Sequence, residues 1–308
     1  MVRQAEWKLS EADFRTVSDL IYKHCGITLH DGKRDLVQAR LARQMRDGDF
    51  NSIEEYIKDV LADASGAKFT SLVDAISTNL TSFFREAEHF RYVTSVVVPA
   101  LIEKRRQECS RRILAWSAAC SSGEEPYSLA ITLAEALANA AAGAGRARPP
   151  VDGPTGPAGW DLRILATDIS TRVLATAQAG MYPAARISAV PQDCRQLYFG
   201  RCDPSFAGGP GRRPRSAEEI FQVRPFLRNL VRFRHLNLIE PWPFKGPFDI
   251  IFCRNVMIYF DKPTQERLVN RFWECLDSGG LLFTGHSESL TGIAHKFRYM
   301  QPSIYRKA

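Results

Sequence analysis

Residues 113–129, ILAWSAACSSGEEPYSL, decide the fold: an apolar strand beginning at Ile113 runs into a loop of small residues, and Glu124 and Glu125 then open a helix. A strand-loop-helix turn usually marks a phosphate site, because the free N–H groups at a helix start attract anions. Two glutamates at that helix start argue against phosphate. In a doubly wound fold the same turn suits a nucleoside ligand that is cationic or zwitterionic, with the carboxylates facing its positive group. Taken alone, the segment leaves a second reading open, in which both glutamates only complement the helix dipole in water.

Outward from this turn, strand and helix patterns alternate. The helix continues over 126–140, a strand follows at Leu162 to Thr167, and a helix at Thr171 to Ala179. Further strands are predicted at Val231 to His235, Phe248 to Cys253 and Gly280 to Thr284, with a helix at Pro263 to Leu276 between the last two. Such alternation means an α/β fold, a mostly parallel sheet with helices on both faces. Two stretches interrupt it. Residues 141–159, AAGAGRARPPVDGPTGPAG, read as a flexible surface linker. Residues 181–229 read as an inserted subdomain, in which QLYF and IFQVRPFL are strand-like pieces around CDPSFAGGPGRRPRS. A short antiparallel sheet and a loop are both compatible with that pattern.

Before the alternation the chain is helical throughout. Ser10 is placed as the N-cap of EADFRTVSDLIYKHC, with Asp13 near N3 and Gly26 as the stop. More helical patterns follow at Lys33 to Asp47, Ser52 to Leu61 and Phe69 to Ser77, and a long helix is predicted from Val93. The division is therefore a small all-α domain over 1–86 and an α/β domain over 87–308.

The 308 residues, 45% of them hydrophobic, can bury a full core. The start, MVRQAEWKLSEADF, has no signal-peptide core and no apolar run reaches membrane-spanning length, so the expected location is the cytoplasm. The seven cysteines are scattered, without a CxxC pair or cysteine-histidine ligand spacing, and no metal is expected. A net charge of +7 suggests an anionic partner. Arg40, Arg43 and Arg46 fall three residues apart along one side of a helix whose apolar side carries Leu36, Val37, Leu41 and Met45. That basic ridge is either a docking face or a solvated surface.

In a doubly wound sheet, ligands lie outside the carboxyl ends of the strands. Polar residues recur there: Ser117 to Glu125 after the first strand, Asp168 after LRILAT, Asn237 after VRFRH, and Arg254 and Asn255 after FDIIFC. A carboxylate past the second strand can accept two hydrogen bonds from a ribose diol, which makes Asp168 the ribose ligand; capping the helix near Thr171 is its competing role. S-adenosylmethionine, a sulfonium nucleoside, fits the whole set. Between the domains, TNLTSFFRE (78–86) combines Asn79, Thr81 and Arg85 with two phenylalanines and could close over such a cofactor.

These segments, TNLTSFFRE, WSAACSSGEEPYSLAI, ATDIS, LNL, FDIIFCRNVMIYF and GGLLFTGHSES, in this order and together with LSEADFRTVSDLIYKHCGITLHDGKRDLVQARLARQMR, resemble the chemotaxis receptor methyltransferases of the CheR type. The resemblance spans nearly the whole chain. It implies an all-α N-terminal domain, a Rossmann-like S-adenosylmethionine-dependent methyltransferase domain with an inserted small antiparallel β-subdomain, and methylation of chemoreceptor glutamates. It assigns cofactor contacts to Asn79, Thr81, Arg85, Glu125, Asp168, Asn237, Leu238, Arg254 and Asn255, catalytic roles to Arg85 and Tyr259, and receptor-helix contacts to Arg40, Arg43 and Arg46. Partners expected from it are the chemoreceptor cytoplasmic helices and, at the β-subdomain, a receptor C-terminal peptide, with the enzyme a monomer. Two departures stand out: the linker 141–159 is longer than the family pattern, and GGPGRRPRS is unusual for the insert.

Three rival readings weaken against the same residues. A nucleic-acid base methyltransferase commonly carries an Asn/Asp-Pro-Pro-aromatic loop after its fourth strand, where this chain has Cys253-Arg254-Asn255-Val256, so no nucleic-acid partner is expected. A noncatalytic cofactor sensor could dispense with Tyr259, which is present. Gly285 to Ser289, GHSES, lacks the final glycine of a hydrolase elbow and reads as a polar turn. Of the two glutamates that open the helix, Glu125 is assigned to the cofactor and Glu124 to a solvated first-turn charge.

Overall fold

The structure, a computed structural model, describes residues 8–77, 79–142, 156–202 and 219–308. Most of the linker and the GGPGRRPRS stretch, including the two departures noted above, lie outside the described residues.

Four helices form the first unit: α1 (Glu11–Cys25), α2 (Arg34–Asp47), α3 (Ile53–Ala62) and α4 (Ala67–Ile76). Ser10 and Asp13 form the anticipated cap: the Asp13 N–H donates to the Ser10 hydroxyl (3.0 Å) and the Ser10 N–H to the Asp13 carboxylate (3.2 Å). Gly26 ends α1 at φ +69°. The apolar faces, with Phe14, Val17, Ile21, Leu41 and Leu72 at their centre, bury one another. Leu36 corrects the expected face: it is 40% exposed and lines the cleft described below.

The long helix starts earlier than the sequence suggested. It begins as α5 (Ala87–Tyr92), passes through a π-type turn at Val93–Val97 and continues as α6 (Val98–Gln107). The α/β unit then runs β1 (Arg112–Ala118), α7 (Glu124–Ala141), β2 (Asp161–Asp168), α8 (Thr171–Ala179), the insert, β6 (Val231–His235), β7 (Phe248–Cys253), α11 (Lys262–Cys275) and β8 (Leu276–Thr284). Each predicted strand and helix of this series is present. Two further strands, β9 (Arg298–Gln301) and β10 (Ile304–Arg306), complete a seven-stranded sheet ordered β6-β2-β1-β7-β8-β10-β9. The first five strands in that order are parallel; β10 is antiparallel to β8 and to β9. Strands β1 and β7 are buried almost end to end, as a sheet covered on both faces requires.

The insert carries β3 (Met181–Pro183), α9 (Gln192–Tyr198), β4 (Phe199–Cys202), β5 (Ile220–Val223) and α10 (Pro225–Leu230). Its three strands form an antiparallel sheet ordered β3-β5-β4, so the sheet reading holds over the loop reading. Two pieces read as strand-like are partly helical: Gln196 to Tyr198 close α9, and Pro225 opens α10, where its fixed φ suits a first helical turn.

The N-terminal unit docks on the strand ends of the sheet. Ile27 bridges Phe260, the Thr28 N–H donates to the Tyr259 carbonyl (2.8 Å), and the Asn237 amide donates to the His24 carbonyl (2.6 Å). This seam closes one wall of a cleft.

Candidate active site

The sheet reverses its winding at β1: the chain proceeds outward through β2 and β6 on one side and through β7 and β8 on the other. Ligands bind at such a switch point, past the carboxyl ends of the strands. After β1 the chain turns sharply, with Ala119 (φ +66°), Ser121 (φ +50°) and Gly123 (φ +98°) all in the left-handed region. Gly123 is required there, since a Cβ would sit 2.7 Å from the Tyr182 hydroxyl and 2.9 Å from the Ala177 side chain.

Glu124 and Glu125 begin α7 and diverge, as neighbours on a helix must. Glu125 faces the cleft, accepting from the Ser117 hydroxyl (2.7 Å) and from Arg254 (3.0 Å). Burial pushes its carboxyl up, and the Arg254 charge opposes the shift. Glu124 corrects the sequence reading: it is fully buried, accepts from the Ser122 hydroxyl (2.7 Å) and pairs with Arg186 of the insert. A carboxylate at zero exposure needs such a counterion.

Past β2, Asp168 accepts from the Ser121 N–H (2.8 Å) with one oxygen and from the Ser170 N–H (2.9 Å) with the other. The cap of α8 is Ser170, not Asp168. Each Asp168 oxygen keeps a second lone pair, so both N–H bonds leave it able to receive a diol. Burial raises this carboxyl, while those N–H donors pull it back down. Asn237 and Leu238, past β6, complete this side of the cleft.

Past β7, Arg254 is buried between the Phe90 and Phe252 rings and donates to Glu125, to Glu86 (3.0 Å) and to the Arg85 carbonyl. Asn255 (φ +58°) donates from its amide to Glu86 (3.2 Å), and its backbone N–H to Glu288 (2.7 Å). Glu288 sits in the GHSES turn after β8 and also accepts from the Gly285 (2.6 Å) and Ile258 (3.2 Å) N–H groups. That turn therefore anchors the loop carrying Arg254 through Tyr259. Glu86, His89 and His286 approach one another closely enough to share an ion, but the Glu86 oxygens are already engaged by Arg254, Asn255 and the His286 N–H. The buried His89 ring is pushed down to about 3, chiefly by burial and then by the Arg254 charge, and so is neutral near pH 7.

The interdomain segment closes the cleft from the other side. Asn79, Thr81 and Arg85 line it; Asn79 keeps a buried amide nitrogen with no hydrogen-bond partner among the described residues. The Ser121 hydroxyl donates to the Asn79 carbonyl (3.2 Å), and Arg85 folds back to donate to the Leu80 carbonyl (2.8 Å). Tyr259 lines the same cleft, with the Lys33 ammonium 4.4 Å over its ring. All nine residues expected at a cofactor thus border one cavity, together with Tyr259.

The three arginines of α2 separate. Arg43 and Arg46 are exposed. Arg40 is partly buried and donates to the Ile76 and Ser77 carbonyls at the end of α4, tying α2 to the segment that bears Asn79. None of the three lines the cleft. Sequence reading missed Glu86, Glu288 and the Glu124–Arg186 pair. Glu288 obeyed the rule used for the other strands, a polar residue just past a carboxyl end, but was set aside with the hydrolase reading. Arg186 gave no local signal.

The lining suits a zwitterionic nucleoside: Glu125 and Asp168 supply carboxylates, Arg85 and Lys33 supply cations, Arg254 is already paired with Glu125, and the Asn79 amide nitrogen, without a partner among the described residues, offers a donor. Comparison with known proteins agrees with this chemistry. Residues 12–77 match the family model "CheR methyltransferase, all-alpha domain", and residues 79–145 and 154–306 match "CheR methyltransferase, SAM binding domain". The chain is 40% identical over 299 residues to the chemotaxis protein methyltransferase of Salmonella typhimurium, covering 96% of this chain and 90% of that one. It is 37% identical over 298 residues to the Escherichia coli chemotaxis protein methyltransferase, covering 96% and 91%. Among the described residues no helix is long and apolar enough to cross a membrane. Fold, cleft and relatives converge: the chain belongs to the CheR methyltransferase family and is an S-adenosylmethionine-dependent methyltransferase of chemotaxis.

Proposed function

We propose that the protein methylates glutamate side chains on the cytoplasmic helices of chemoreceptors, forming glutamyl methyl esters and S-adenosylhomocysteine. The observation that carries this reading is the convergence of Asn79, Thr81, Arg85, Glu125, Asp168, Asn237, Leu238, Arg254 and Asn255 on one cleft with Tyr259 beside them. S-adenosylmethionine, when bound, supplies a methyl group already activated by its positive sulfur. A glutamate carboxylate is ionised near pH 7, so the enzyme needs no general base and must instead position and desolvate. Holding carboxylate and methyl donor in line can supply about 7–11 kcal/mol of the barrier.

In this reading Asp168 holds the ribose hydroxyls, and Glu125 places negative charge beside the positive group. Arg254 keeps Glu125 and Glu86 in place from behind. Arg85 and Tyr259 orient the incoming carboxylate. Arg85 already gives one donor to the Leu80 carbonyl, which limits its grip on the substrate; an unrestrained bidentate pair would stabilise ground and transition states alike. Arg43 and Arg46 face the receptor helices, with Arg40 shaping the segment behind them. The insert sheet has β3 and β4 as its outer strands, and an extended receptor C-terminal segment would add beside one of them.

The test is to incubate the protein with methyl-labelled S-adenosylmethionine and receptor-containing membranes, then treat with mild base. Carboxyl methyl esters release volatile methanol. Label that stays on protein after base, or never reaches protein, overturns the glutamate assignment.

A further inference from the structure

The loop after β1 is gripped from outside the cleft as well as from within, and the side-chain part of the outer grip comes from the insert. Tyr182, in β3 and 1% exposed, donates its hydroxyl to the Ser122 carbonyl (2.7 Å). Arg186, just past β3, reaches in from the surface to donate to the Ser122 hydroxyl (2.9 Å) and to pair with Glu124, whose exposure is zero. Phe83, beside Arg85 in the interdomain segment, packs edge-on against Tyr182 (5.0 Å) and against Phe199 of β4 (5.6 Å). The insert thus holds both the loop and the segment that form the cleft.

We propose that Arg186 is a positioning residue for cofactor binding, and that the insert through it sets the affinity of the cleft for S-adenosylmethionine. The inference rests on reading the cleft as the cofactor site. Its physical basis is the adjacency of Glu124 and Glu125 in the first turn of α7. Glu124 points to the insert and Glu125 to the cleft, so one turn of backbone fixes both. Without Arg186, Glu124 is a buried carboxylate whose one remaining side-chain partner among the described residues is the Ser122 hydroxyl, and the turn rotates or unwinds to bring it to water. Either movement takes Glu125 away from Ser117 and Arg254, and Ser121 away from Asp168. Arg186 touches neither the cleft nor Tyr259; it acts through Glu124.

The experiment measures S-adenosylhomocysteine binding by calorimetry, and amide hydrogen exchange of residues 119–125 without ligand, in the wild type, Arg186→Met, Arg186→Lys and Arg186→Met/Glu124→Gln. Arg186→Met should weaken binding by about tenfold or more and speed exchange in the loop. Arg186→Lys should recover part of the affinity, and removing the stranded charge in the double variant should bring it closer to the wild type than Arg186→Met alone. If Arg186→Met does not fold, Tyr182→Phe, which removes only the hydroxyl bond to Ser122, should weaken binding by about fivefold. Affinity and loop exchange unchanged within twofold in Arg186→Met, or affinity so unchanged in Tyr182→Phe where that variant stands in, overturn the inference. A wild type that does not bind S-adenosylhomocysteine would overturn the reading of the cleft itself, which is a separate result.

Discussion

Replacing Arg254 with methionine keeps much of the side-chain volume between Phe90 and Phe252 and removes the charge. The guanidinium, with 1% of its side chain exposed, serves two carboxylates at 3.0 Å each, Glu86 and Glu125, which are themselves only 12% exposed. Breaking a buried ion pair from one side leaves its partner stranded and typically costs about 3–5 kcal/mol. For a chain of this size that is a fall in Tm on the order of 10 °C. The pH dependence identifies the cause. Burial raises Glu125 even with Arg254 opposing, whereas at Glu86 burial also raises the carboxyl but the Arg254 charge and hydrogen bond, with the Asn255 and His286 donors, together hold it low. Without Arg254 both carboxyls rise, the folded state binds protons more readily than the unfolded chain, and stability falls as pH climbs through the window above the ordinary carboxyl range. The deficit of Arg254→Met against wild type should therefore be largest at about pH 8 and shrink toward about pH 5 and below. Adding Glu125→Gln should restore part of it. Thermal unfolding across that range is the assay. A deficit below about 1 kcal/mol, or one that does not change with pH, would refute the view of Arg254 as the counterion of the cleft.

Asp168→Asn replaces an acceptor pair by one acceptor and one donor, so one of the Ser121 and Ser170 N–H groups loses its partner; cofactor affinity should fall about tenfold or more in calorimetry. Because burial raises the Asp168 carboxyl, wild-type affinity should also weaken as pH drops through that raised range. His89, pushed down to about 3 from an ordinary 6.5, makes the folded state hold fewer protons than the unfolded one between those values. Stability should fall with acid by up to about 1.4 kcal/mol per pH unit there, and His89→Leu should remove that slope in acid-unfolding curves. Arg43→Glu and Arg46→Glu should raise the receptor KM several-fold, more at low salt, with cofactor affinity unmoved. Arg40→Ala should weaken cofactor binding too, since Arg40 holds the carbonyls of Ile76 and Ser77 just ahead of Asn79.

The fold was legible because local patterns and global topology agree. Alternation of apolar strands with amphipathic helices specifies a parallel sheet, and the rule that function gathers past the strand ends then points to Ser117, Glu125, Asp168, Asn237, Arg254 and Asn255. Pairings across the chain were not legible. Glu124 and Glu125 look alike in sequence, and Arg186, separated from their helix by β2, α8 and β3, decides that one faces the insert. Arg40 shares the spacing of Arg43 and Arg46, yet a helix end docked against α2 draws it inward. The β9–β10 hairpin escaped notice because RYMQ and IYR are short, and Tyr299 and Met300 remain well exposed. Leu36 broke the apolar stripe of α2 because the stripe faces two things, the helical core and the cleft.

This cleft is expected to deliver a methyl group to a glutamate carboxylate. Mass spectrometry of receptor peptides after incubation with S-adenosylmethionine tests it most directly, by placing the added methyl on a particular side chain. Methyl esters are expected on glutamate side chains of the receptor's cytoplasmic helices, absent when those glutamates are changed to glutamine and sharply reduced with Arg85→Ala or Tyr259→Phe enzyme. Methyl groups found instead on lysine, arginine or a chain terminus, or undiminished in both enzyme variants, would contradict it.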